Sequence, residues 1–155
     1  MGLLDFFKKK PKDFFTEAER AQIVAAVQLA EKRTSGEIRV FVESHCRYVD
    51  ALDRAAEIFF SLQMEKTVQR NAALVYVAVK DRQVAVFGDE GIHTKVTSKF
   101  WDAEVRKMLS YFKKDNVPQG IVGVVKDIGE ALLFHFPFDE ITDKNELPDD
   151  IVFGN

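Results

Sequence analysis

Asp89 and Glu90 stand together in the stretch Val86-Phe87-Gly88-Asp89-Glu90-Gly91-Ile92-His93, two carboxylates between two glycines at the end of an apolar run. Adjacent acids offer hard oxygen ligands to a divalent cation or a negative charge to a helix N-terminus. Glycines at such a junction imply positive φ or a close backbone approach. The segment therefore reads as a cation site, as a phosphate-handling loop, or as a plain strand-to-helix turn. It lacks the D-x-[DN]-x-[DN]-G spacing of an EF-hand.

Other residues extend or limit that chemistry. Arg70 and Asn71 are of the types that bind a phosphate or fix a loop, and Arg70 can instead pair with Glu90, an interaction worth about 0–1 kcal/mol if exposed. His93 suits a transition metal or a proton shuttle. No second histidine lies at i+4, however, and the remaining two are His45 and His135, which disfavours a zinc enzyme. Cys46 lies next to His45, but neighbours in a strand point to opposite faces, so the pair does not read as nucleophile and base. Asp50 and Asp53 read as a helix cap and a first-turn charge.

A phosphatase needs a covalent nucleophile or an activated water with charge stabilisation for the phosphoryl oxygens. The chain has no P-loop, no Cys-x5-Arg and no paired-aspartate nucleophile motif. An enzyme reading survives only in metal-dependent form.

The chain has 155 residues, the size of one domain. Apolar residues make up 46% and charged residues 30%, which excludes wholesale disorder. With 22 Lys+Arg against 25 Asp+Glu the net charge is −3, and no basic patch favours nucleic acid. The single cysteine excludes an internal disulfide and fits a reducing compartment. Leu3, Leu4, Phe6 and Phe7 precede Lys8, Lys9 and Lys10, the reverse of a secretory signal, and Phe6 stands where N-myristoylation needs Ser or Thr. The expectation is a cytoplasmic protein. Its N-terminal arm either packs on the body or makes weak contact with an anionic membrane surface.

The elements that must position these residues are legible from periodicity. Thr16 and Glu19 form a capping box for a helix to about Arg33. Ile38, Val40 and Val42 alternate with Arg39, Phe41 and Glu43 as a strand. Asp50 caps a second helix carrying Leu52, Ala55, Ile58, Phe59 and Leu62. The runs "NAALVYVAV" and "QVAVFG", joined through Lys80-Asp81-Arg82, predict an antiparallel hairpin whose first strand is covered on both faces. Beyond "GDEGIHTKV", the positions of Phe100, Trp101, Val105, Met108, Leu109 and Phe112 predict a third helix, its Trp101 stripe in the core and Asp102, Glu104 and Lys107 mostly on the other side. Pro118 starts a fourth. The tail reads as an acidic extended arm.

This order predicts an α/β fold, a small mixed β-sheet sandwiched between α-helices in a single domain. The expected organisation is an N-terminal arm over 1–15, the α/β domain over 16–135 and an acidic tail over 136–155 that packs on or near it. Two parallel strands start at Glu37 and Asn71 while the hairpin returns its end to the same rim. Glu37, Asn71, Asp89 and Glu90 are thus expected to converge.

"TSGEIRVFVE", then "RNAALVYVAVKDRQVAVFGDEGIH", then a Phe-Trp helix and a Gly-containing helix resemble the TPM domain family over roughly residues 16–135. The resemblance implies an α/β sandwich. It also implies binding of Ca²⁺ or another divalent cation, or acid phosphatase activity. On this reading Glu37, Asp89 and Glu90 are the metal ligands, with Arg70, Asn71 and His93 behind them or on a phosphate. The expected function is a cation-binding module that engages a protein partner. The alternative is a metal-dependent phosphomonoesterase. Relatives of this type are commonly exported or membrane-anchored, and the missing signal departs from that pattern.

Overall fold

The computed structural model describes residues 10–138 and 150–155. The membrane-contact expectation for Leu3, Leu4, Phe6 and Phe7 lies outside the described residues.

A 3-10 turn at Pro11–Phe14 leads into α1, Glu17–Glu31. The capping box is complete: the Glu19 N–H donates to Thr16 Oγ1 at 3.1 Å and the Thr16 N–H donates to the Glu19 carboxylate at 2.8 Å. β1 spans Glu37–Glu43 and α2 spans Ala51–Ser61, with the Asp50 side chain accepting the Leu52 N–H at 2.9 Å. β2, Ala72–Ala78, is buried at every position, as its unbroken apolar run requires. The short connection through Lys80, Asp81 and Arg82 turns it antiparallel into β3, Gln83–Gly88. Two long helices follow, α3 over Glu90–Lys113 and α4 over Val117–His135, the latter with Pro118 in its first turn.

The sheet order is β3-β2-β1-β4, where β4 is Val152–Phe153. β1 runs parallel to β2, so α2 is the crossover that a parallel pair needs. The fourth strand comes from the tail: Val152 and Phe153 pair in parallel with Phe41 and Val42. Alternation along the strands divides the core in two. Ile38, Val40, Val42, Val75, Val77 and Val86 pack under α1, α3 and α4. Leu74, Tyr76, Ala78 and Ala85 pack against Ala55, Ile58 and Phe59 of α2. The result is a single α/β domain with its mixed sheet between helical layers.

Two expectations are corrected. "GDEGIH" is not a loop, because α3 starts at Glu90, well before Phe100. Its continuity breaks instead at Thr97, which has φ 66 and ψ 170, a strained conformation for a β-branched residue. Glu104, expected on the outer side, is only 7% exposed. It sits one turn from both Trp101 and Met108 and shares their face; its polarity masked its position.

Candidate functional site

The starts of β1 and β2 and the end of β3 meet on one rim. Glu37 is in register with Ala72, and the Asp89 N–H donates to the Ala72 carbonyl at 2.9 Å, so Glu37, Ala72 and Asp89 form a row across three chain segments. Asp89 is 3% exposed and caps α3, its Oδ1 accepting the Glu90 N–H at 2.8 Å. Arg70 closes over it. Its Nε donates to Asp89 Oδ2 at 2.7 Å, its Nη2 to Asp89 Oδ1 at 2.8 Å, and its Nη1 to Glu90 Oε1 at 3.3 Å. Arg70 holds this position with φ 52, in the left-handed region.

The two flanking glycines serve close approach, since no glycine among the described residues has positive φ. A Cβ on Gly91 would lie 2.1 Å from the Gln69 carbonyl oxygen and 2.5 Å from that of Arg70. The glycine lets its N–H reach the Arg70 carbonyl at 2.8 Å, which fixes the Arg70 loop against the start of α3. A Cβ on Gly88 would lie 2.2 Å from Trp101 Cζ2.

The other expected residues take distinct places. Asn71 is 1% exposed and donates from Nδ2 to Ser35 Oγ at 3.1 Å, so it ties its loop to the start of β1. His93 is exposed, and its Nδ1 accepts the Trp101 indole N–H at 3.1 Å, which assigns the neutral ring the Nε2–H tautomer. Glu37 lies two strand spacings from Asp89, roughly 10 Å, with Ala72 between them. Among the described residues, no group of three or more His, Cys, Asp or Glu side chains is placed to hold a metal ion. Ca²⁺ takes six to eight oxygens from carboxylates, carbonyls and water. Asp89 and Glu90 match it in donor type, and the position they share is held by the Arg70 guanidinium.

A cleft of about 780 Å³ opens beside this rim, lined among others by Arg70, Gly88, Glu90, His93, Ser98 and Trp101.

The opposite rim carries a polar cluster that sequence reasoning missed. Glu43 is 6% exposed, and Arg54 donates to its two oxygens from Nε and Nη2, each at 2.9 Å. The Tyr76 hydroxyl donates to it as well, and burial followed by this bond pushes the phenol pKa far up. Beside it, Asp81 accepts the Cys46 N–H at 2.7 Å and faces His45 Nδ1 at 2.8 Å. Its partners lie far apart in sequence and share no motif spacing. Every strong donor here is spent internally, which makes the cluster a tie between α2 and the sheet.

The TPM domain profile matches residues 9–131. Among solved structures, the BA42 protein of the psychrophilic bacterium Bizionia argentinensis is 40% identical, with a TM-score of 0.82 over 91% of this chain and 96% of that one. The N-terminal domain of the cg2496 protein of Corynebacterium glutamicum is 16% identical, with a TM-score of 0.58 over 76% of this chain and 74% of that one, a likeness of fold alone. No curated protein matches the chain. The profile match and the relation to the BA42 protein agree on one assignment: the chain belongs to the TPM domain family.

Proposed function

We propose that this domain is a binding module whose acidic rim takes a divalent cation, Ca²⁺, with Asp89 and Glu90 as its carboxylate ligands. One observation carries the reading: both carboxylates already converge on a single cationic group, the Arg70 guanidinium. Arg70 occupies the cation's place in the ligand-free chain, and Ca²⁺ binding displaces it. Glu37 stands too far along the row to complete the pair and contributes only through the field of the rim.

Thermal unfolding tests the proposal. A ligand that binds only the native state stabilises it by RT ln(1 + [L]/Kd), about 2.7 kcal/mol at a hundredfold excess over Kd. Millimolar Ca²⁺ should raise the melting temperature of the wild type and leave that of Asp89→Asn unchanged. No shift in a well-folded wild type ends the reading.

The second reading, a metal-dependent phosphomonoesterase, is favoured by the cleft, which places His93, Ser98 and Asp102 beside the same rim. Steady hydrolysis of p-nitrophenyl phosphate that disappears in Asp89→Asn would select it over a module without turnover.

A further inference from the structure

β3 ends the sheet, and no strand among the described residues pairs with its outer side. The parity of the ladder identifies which backbone groups face outward. The Asp89 N–H bonds to Ala72, and hydrogen-bonded pairs in an antiparallel ladder recur at every second residue. Phe87, Ala85 and Gln83 therefore bond inward to β2. Val84, Val86 and Gly88 turn their N–H and C=O groups to the free edge.

That edge carries no strand among the described residues and borders the cleft, with Val84, Ala85 and Val86 themselves only 7%, 3% and 3% exposed. The cleft is lined by Val84, Ala85, Val86, Phe87 and Gly88, five consecutive strand residues whose side chains alternate between faces. A single cavity touches all of them only by running along the strand's edge. Natural edge strands are commonly blunted by a lysine, a proline or a bulge, and Gln83–Gly88 has none of these. The opposite side of the sheet is extended by the chain's own Val152–Phe153.

The walls define the occupant. On the α2 side stand Leu52 and Phe60, 45% and 50% exposed. On the α3 side stand Trp101 and Val105 with Asp102, Ser98 and His93. Among the lining side chains, the carboxylates Asp50, Asp89, Glu90 and Asp102 outnumber the guanidinium groups Arg70 and Arg106, leaving a net charge of −2 with His93 neutral. From these features we infer that the cleft is a peptide-docking groove. An extended segment of a partner protein, alternating apolar with basic residues, adds to β3 as a fifth strand. Its backbone bonds to Val84, Val86 and Gly88, its apolar side chains cover Leu52 and Phe60, and its basic side chains meet Asp102 and Glu90. Backbone pairing gives affinity and the alternating pockets give specificity. The groove shares Glu90 with the proposed cation site but does not require the cation.

The test uses the full chain in EDTA and a capped ten-residue peptide alternating valine and lysine. The sole tryptophan, Trp101, lies in the groove wall and reports occupancy by fluorescence. Saturable binding should slow hydrogen exchange at the amides of Val84, Val86 and Gly88. It should weaken at least tenfold when the peptide is N-methylated on its strand-facing amides. Val86→Pro removes an outward donor without breaking the β2 ladder, at the cost of a core side chain, and the folded variant should bind more weakly by a similar factor. If that variant fails to fold, the exchange and N-methylation arms on the wild type decide. Absence of binding at millimolar peptide, or binding indifferent to N-methylation, overturns the inference.

Discussion

The Arg70 guanidinium lies side by side with the Asp89 carboxylate, two parallel bonds of 2.7 and 2.8 Å that join the loop before β2 to the first turn of α3. This geometry is the bidentate fork that only arginine provides. Asp89 is nearly fully buried, so removing its partner leaves an uncompensated charge. Arg70 is itself 37% exposed, which screens the loss. Arg70→Gln should lower the urea midpoint, while Arg70→Lys should recover only part of the loss, lacking the fork.

Gly91 should tolerate no side chain. The obstructing atoms are the backbone oxygens of Gln69 and Arg70, which cannot rotate away as a side chain would. Gly91→Ala should cost about 2–3 kcal/mol. It should also loosen Arg70 from Asp89, seen as faster exchange of the Gly91 amide proton's neighbours in the Arg70 loop.

Gly88 and Trp101 should be energetically coupled. A methyl at position 88 meets the indole face directly, and Trp101 is 6% exposed. Trp101→Ala should cost roughly 3–5 kcal/mol and Gly88→Ala roughly 1–3 kcal/mol. The double variant should cost less than their sum, because the smaller residue vacates the space that the methyl needs. Strict additivity in denaturant midpoints would contradict this contact.

Much of this arrangement was legible beforehand. The capping box at Thr16, the cap at Asp50, the alternation in β1 and the apolar run of β2 report local preference and burial, which sequence carries directly. The shared rim of Glu37, Asn71 and Asp89 followed from strand direction alone. Four features were not legible. The start of α3 was hidden because Gly91 resembles a loop residue, and its reason is an approach by a distant backbone. The fourth strand depended on the pairing of two residues with a strand far away in sequence. The Glu43–Arg54–Tyr76 cluster and the docking edge of β3 exist only once the sheet order is fixed.

Glu104 gives the stability a pH dependence. Burial, followed by the neighbouring Asp127 carboxyl and opposed by Lys107, pushes its pKa up to about 8. Lys107 Nζ pairs with Asp127 Oδ2 at 2.7 Å across the α3–α4 contact. A carboxyl with a raised folded pKa binds more protons in the native than in the unfolded state. Its stabilising contribution is therefore complete below the unfolded pKa and is lost as pH rises through about 8. Glu104→Gln should match the wild type near pH 4 and exceed it by about 1–3 kcal/mol at pH 9. Parallel urea curves for the two proteins across this range check the sign.

If Arg70 stands in for a cation at Asp89 and Glu90, calcium titration calorimetry on the wild type and Arg70→Gln should reveal the competition between them. Removing the internal competitor should tighten Ca²⁺ binding by tenfold or more even as it lowers stability, since a site held closed for part of its population loses affinity in that proportion. Equal or weaker binding in a folded Arg70→Gln, or no binding in either protein, would leave the Arg70–Asp89 pair as no more than a clasp for the start of α3.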